Sequence, residues 1–230
     1  ASGNTAVGLR TLLANTTGHS NVAVGCGSLV ANTTGFRNVG VGLGSLASNT
    51  EGEYNVGVGK DAGEATTTGD YNTFLGSFAG FKNTTSSNNT AVGGLALLDN
   101  TTGADNTANG SSALESNTTG DSNSAFGYRA LCNNTTASGN TAVGKSALVA
   151  NTTGASNTAV GTLALTANTT AGFNTAVGKS AMAANTTGAT NTAVGFSAML
   201  VNTTGGENTA IGDCTLATQV DGGIGNTALG

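Results

Sequence analysis

The chain has no proline, no tryptophan, one histidine and three cysteines in 230 residues. Only 8% of it is charged, against roughly 25% in an ordinary globular protein. Each shortage excludes something. The seven Lys and Arg are scattered, with no run or patch to release counterions from a phosphate backbone, so no nucleic-acid partner is expected. A single histidine, His19, cannot build a Cys and His metal cluster with Cys26, Cys132 and Cys214. No apolar run approaches the roughly 20 residues that cross a bilayer, so no membrane span is expected. Neither a signal nor a transit peptide is visible. The disordered class is also a poor fit, because net charge is only -5 and 37% of residues are hydrophobic.

What is present is a phrase. Asn140-Thr141-Ala142-Val143-Gly144 is its cleanest copy, and it recurs along the whole chain. Its leading residue is Asn4, Asn21, Asn38, Asn55, Asn72, Asn89, Asn106, Asn123, Asn140, Asn157, Asn174, Asn191, Asn208 and Asn226, every step being 17 residues except the last, which is 18. Numbered from that Asn, the consensus is N-T-A-V-G-x-x-A-L-x-x-N-T-T-G-x-x. Position 4 is apolar in every phrase but that of Asn109, and position 9 is Leu or Met except at Gly63 and Gly80. Nearly all charges fall at the variable positions 6, 7, 10, 11, 16 and 17. A fixed short period signals a repeat architecture and overrides the usual relation between length and domain number.

Helix-pair repeats need 33 residues or more, and this density of Asn, Thr and Gly makes a poor helix. Short strands joined by Gly and Asn turns fit instead. The expected fold is all-β: a parallel β-solenoid of about 13 coils of 17 residues, with residues 1–230 as one array and 208–230 as its irregular end. Three strands per coil are predicted, at positions 2–4, 7–10 and 12–14. Alternation places Thr141 and Val143 on one face and Ala142 on the other. Val143 is expected to point inward beside Leu148. Position 3 is Ala or Gly in every phrase but that of Phe74. Such a residue, if outward, lets another backbone approach; equally, it packs against its own turn. The leading asparagines are predicted to stack as a structural hydrogen-bonding ladder. At about 4.8 Å per coil the array is a rod roughly 60 Å long. The nearest cysteines are then roughly 24 Å apart, too far for a disulfide.

The irregular coils carry further expectations. Asn109 marks a local weak point. Phe74, Phe78 and Phe81 are candidates to refill the volume missing at Gly63 and Gly80. Gln219, Val220 and Asp221, with an extra residue before Asn226, mark a transition to another element. The chain opens within a phrase, Ala1-Ser2-Gly3 matching Ala137-Ser138-Gly139. That reads as a segment of a longer array, or as a subunit stacking end to end into a filament through unpaired edges.

No residue is assigned a catalytic, cofactor-binding or metal role. His19, at variable position 16, reads as a solvated turn residue. Glu51, Glu53, Asp61, Glu64 and Asp70 crowd into coils 3 and 4, but they are spread over four repeat positions and read as a solvated patch rather than a Ca²⁺ site. Asn-Thr-Thr also forms a glycosylation sequon at Asn15, Asn32, Asn83, Asn100, Asn117, Asn134, Asn151, Asn168, Asn185 and Asn202. Either these carry a sheath of glycans or they are corner asparagines chosen by geometry, the latter being preferred. The regular Thr ranks raise a further alternative, an ice-binding or glycan-binding face. N-x-V-x-G coils resemble one plant ice-binding family. Against this, Thr at positions 13 and 14 are neighbours and face opposite ways, leaving one outward rank.

The phrase N-[TS]-A-[VFIL]-G followed by small residues resembles the parallel β-roll of YadA-like trimeric adhesin heads. It is more similar to the N-T-A-V-G…A-L…N-T-T-G arrays of phage tail-fibre and bacterial surface fibre proteins. The resemblance spans essentially the whole chain, and it implies left-handed winding and a homo-oligomer of three chains around one axis, the end-to-end filament being the alternative that unpaired edges raise. The 17-residue period departs from the shorter coils of adhesin heads. The function expected is therefore that of a non-enzymatic, structural extracellular fibre or stalk at a cell surface or on a virion. Its partners would be copies of itself and a cell-surface glycan. Fold alone does not fix such a role.

Overall fold

The computed structural model describes residues 2–218 and 222–230. It divides into two compact units, residues 1–119 and 120–230, and the same coil builds both. In the first unit the strands are β1 (Thr5–Val7), β2 (Val22–Val24), β3 (Val39–Val41), β4 (Val56–Val58), β5 (Thr73–Leu75), β6 (Thr90–Val92) and β7 (Thr107–Asn109). In the second they are β8 (Ser124–Phe126), β9 (Thr141–Val143), β10 (Thr158–Val160), β11 (Thr175–Val177), β12 (Thr192–Val194), β13 (Thr209–Ile211) and β14 (Thr227–Leu229). Within each unit they pair in parallel and in chain order. Thr158 faces Thr175, Ala159 faces Ala176 and Val160 faces Val177, a register of one repeat. The protein is thus all-β, a parallel β-solenoid whose strands recur about every 17 residues through about 13 coils.

Each coil has one strand, at positions 2–4, and not the three expected. Positions 7 to 10 turn instead. Repeat positions 7 and 9 both take left-handed backbone angles, as at Ser146 (φ 54°) and Leu148 (φ 52°), and position 17 does the same at Ser156 (φ 58°). Left-handed backbone costs an L-residue roughly 1–2 kcal/mol. It persists here because each such residue keeps an inter-coil backbone bond: Ser146 to Tyr128 (2.9 Å), Leu148 to Ala164 (3.0 Å) and Ser156 to Ser138 (3.1 Å). The ladder therefore continues without strand geometry.

The strand also presents the opposite faces from those expected. Ala142 is fully buried, whereas Val143 is 38% exposed. Alternation holds, but Ala points in while Thr and Val point out. The physical reason is width. Ala at position 3, Ala at position 8 and Leu or Met at position 9 already fill the narrow interior, as Ala142, Ala147 and Leu148 do in coil 9. Position 3 is therefore small because it is inside, and close approach by another chain does not explain it. Asn109 accordingly lies on the exposed face, so it leaves no hole in the core.

Of the three aromatics expected to refill the core, Phe74 alone does so, while Phe78 and Phe81 are half-buried and meet edge-on. Phe74 is fully buried at position 3. A Cβ on Gly63 would lie 2.5 Å from Phe74 Cδ2, and one on Gly80 would also strike the ring. One phenyl thus occupies the space that two leucines fill in other coils. A smaller exchange occurs at Gly57, where a Cβ would lie 2.6 Å from Ser45 Oγ. The transition expected at Gln219 to Asp221 lies outside the described residues. Beyond them the pattern returns, with β14 in register on β13, Thr227 facing Thr209.

Candidate functional site

Two asparagines per coil converge on one carbonyl. Asn21 Nδ2 donates to Gly35 O at 2.9 Å, and Asn32 Nδ2 donates to the same oxygen at 3.0 Å. The pairing recurs at Ala171 O, which accepts from Asn157 and Asn168 at 2.9 Å each. The clamp closes the turn between positions 12 and 1.

The two asparagines link coils differently. At position 1 the side-chain oxygen accepts the backbone N–H of the next leading Asn. The bond is 2.9 Å from Asn21 to Asn4, 2.9 Å from Asn157 to Asn140 and 3.0 Å from Asn226 to Asn208. At position 12 the bonds run amide to amide. Asn32 Nδ2 donates to Asn15 Oδ1 at 2.8 Å, Asn117 to Asn100 at 2.8 Å and Asn168 to Asn151 at 2.9 Å. The amide-to-amide stacking expected of the leading asparagines is thus most regular at the sequon asparagines. Of those, Asn32, Asn83, Asn100, Asn117, Asn134, Asn151, Asn168, Asn185 and Asn202 are buried and Asn15 is half-buried. A glycan would have to replace a hydrogen on a nitrogen that is already donating inside the coil.

Where the ladder lacks a member, the defect is visible. Thr66 replaces Asn at position 12 of coil 4. Asn49 Oδ1 and Thr66 Oγ1 are, among the described residues, the buried side-chain polar atoms with no partner.

Threonines divide by position. At position 13 they are half-buried, apart from the exposed Thr16 of the first coil, and their hydroxyls donate to the Thr carbonyl one coil on, as from Thr152 to Thr169 at 3.1 Å. At position 14 they are exposed: Thr17, Thr34, Thr68, Thr85, Thr102 and Thr119 in the first unit, Thr136, Thr153, Thr170, Thr187 and Thr204 in the second. At position 2 they stand on the outer strand face beside the position-4 residue.

The sequence signal missed was aromatic. His19 and Phe36 stack at 4.9 Å, Phe36 meets Tyr54 edge-on at 5.6 Å, and Tyr54 stacks on Tyr71 at 4.9 Å. Arg37 lies 5.2 Å from the Tyr54 ring centroid and donates to its hydroxyl. His19 is therefore half-buried in a column and not a freely solvated turn residue. Aromatic residues at positions 16 and 17 of four successive coils could have revealed this. Each pair is worth about 0.5–1.5 kcal/mol. The rings hide one another's faces, so the column reads as a strut.

The acids do not converge. Asp61 sits 3.7 Å from Lys60, and Asp70 Oδ1 accepts the Glu53 N–H at 2.7 Å. No group of three or more His, Cys, Asp or Glu among the described residues is placed to hold a metal. Cys26 and Cys214 are exposed, Cys132 is buried, and none of the three is in a disulfide. The described surface has no cavity, and no helix is long and apolar enough to cross a membrane. The chain matches no family model, no curated protein and no solved structure.

Proposed function

We propose that this chain is the shaft of an extracellular fibre, a stiff spacer whose work is mechanical. The observation that carries the reading is the repeated axial linkage. Within each unit a coil is tied to the next by backbone bonds, by both asparagine ladders and by the position-13 hydroxyls. The same groups that build the coil thus resist its separation. Nothing in the repeat is spent on a cleft, and variable residues lie at turns where they leave the linkage unchanged. A cell surface or virion is the setting such a spacer suits, since continuous backbone pairing leaves little slack for a protease to engage.

Electron microscopy of the purified chain, with limited thermolysin digestion, tests this. An elongated particle that survives digestion for hours is the expected result. A compact round particle, or digestion within minutes at many coil turns, would overturn the reading.

A further inference from the structure

The outer face of β9 to β13 is uniform in a way that no load-bearing role requires. Five successive strands present Thr141 and Val143, Thr158 and Val160, Thr175 and Val177, Thr192 and Val194, and Thr209 and Ile211. Their registers align Thr on Thr and Val on Val or Ile. The result is a grid of about 4.8 Å between strands and about 6.7 Å along each strand. Every member is β-branched, so its χ1 is restricted and the methyl and hydroxyl positions are held before any ligand arrives. No charge stands on the grid. Lys145, Lys179 and Asp213 lie at position 6, past the position-5 glycine turn. The position-2 hydroxyls make no hydrogen bond to protein among the described residues, whereas the position-13 hydroxyls are committed to the next coil.

A rigid, uncharged, periodic surface without a cavity has little to offer a small solute. It suits a partner that is itself an extended lattice. Each contact is weak, and many are made at once only if the partner repeats on the same scale. Methyls that cage water, beside hydroxyls that both donate and accept, favour an ordered water layer. We infer that the Thr/Val face of β9 to β13 binds ice, ordering first-shell water into register with a growing crystal plane. This activity is independent of the shaft reading. The position-14 threonines form a single exposed rank on a bend, away from the strand face, and they lie outside the site.

Thermal hysteresis and ice-recrystallisation inhibition of the whole chain provide the test. The wild-type chain is expected to hold crystals faceted below the melting point. Thr158→Tyr with Thr192→Tyr should lower the hysteresis by about tenfold or more, because a raised ring breaks contact over several strands. Thr170→Tyr with Thr187→Tyr, on the position-14 rank, should leave it unchanged. Should the first pair disturb the fold by circular dichroism, Thr158→Ser with Thr192→Ser removes only methyls and must still lower activity severalfold. Absence of hysteresis in the wild type overturns the inference. So does loss confined to the position-14 variants. Sedimentation of the wild type as a dimer that the face variants dissociate would also overturn it, the face then being covered by a second copy.

Discussion

Two glycine positions separate what the coil forbids from what it merely disfavours. Gly144, at position 5, has φ +133°, and a Cβ there would lie 2.6 Å from the Gly161 carbonyl carbon. Backbone angle and steric overlap act together, so Gly144→Ala should destabilise by about 3 kcal/mol or more in urea titration. Gly154, at position 15, lacks the unusual angle, and Ala137 and Ala171 occupy its equivalents. A Cβ on Gly154 would lie 2.2 Å from the Ala171 carbonyl oxygen, so the facing backbone must move, and Gly154→Ala should cost about 1–3 kcal/mol, less than Gly144→Ala because the backbone angle is already compatible. The opposite sign is expected at Thr66. Thr66→Asn supplies a donor for Asn49 Oδ1 and removes the orphan hydroxyl. A rise in stability of about 1–3 kcal/mol should follow, read as a higher urea midpoint. For the sequons, mass spectrometry of the folded chain from a glycosylating host should find Asn151 unmodified, its amide nitrogen already donating to Asn134 and Gly154.

At the scale of the coil, the core tolerates exchange when volume is kept. Phe74→Ala alone should cost about 3–5 kcal/mol. Gly63→Leu with Gly80→Leu alone should destabilise by overlap with the ring. Combined, the three changes rebuild the ordinary coil and should return within about 1 kcal/mol of wild type, a strongly non-additive cycle in urea titration. The period, the strand at positions 2–4 and the linking role of the leading asparagines were legible in the sequence, whereas the strands expected at positions 7–10 and 12–14 are absent among the described residues. So was the exchange at Phe74. The face of the strand was not. In Thr141-Ala142-Val143 alternation is clear, but hydrophobicity points Val inward, and only the width of the coil decides for Ala. Nor were the turns at positions 7 and 9 legible, because Leu148 carries no mark of left-handed backbone; its angle is imposed by the bond to Ala164. The aromatic column stayed hidden because it crosses from position 16 to position 17 between Phe36 and Tyr54.

For the molecule as a whole, nearest-neighbour linkage predicts nearly additive stability. Deleting residues 174–190, one complete coil, should leave Asn157 followed by Asn191 at the correct spacing. The shortened chain should fold with a circular dichroism spectrum like that of the parent and a modest loss of stability. Deleting residues 174–181 breaks the period and should cost far more, by circular dichroism and urea midpoint together.

The axial asparagine bonds also have a direction in time. In both ladders the later residue donates and the earlier accepts: Asn21 N to Asn4 Oδ1, and Asn32 Nδ2 to Asn15 Oδ1. Synthesis delivers the N-terminal coil first. Each finished coil therefore shows two open amide oxygens to the residues still emerging, whose N–H groups arrive 17 positions later. The chain can be laid down turn upon turn at the ribosome's own pace, every turn closing over a short loop, with no wait for a distant partner.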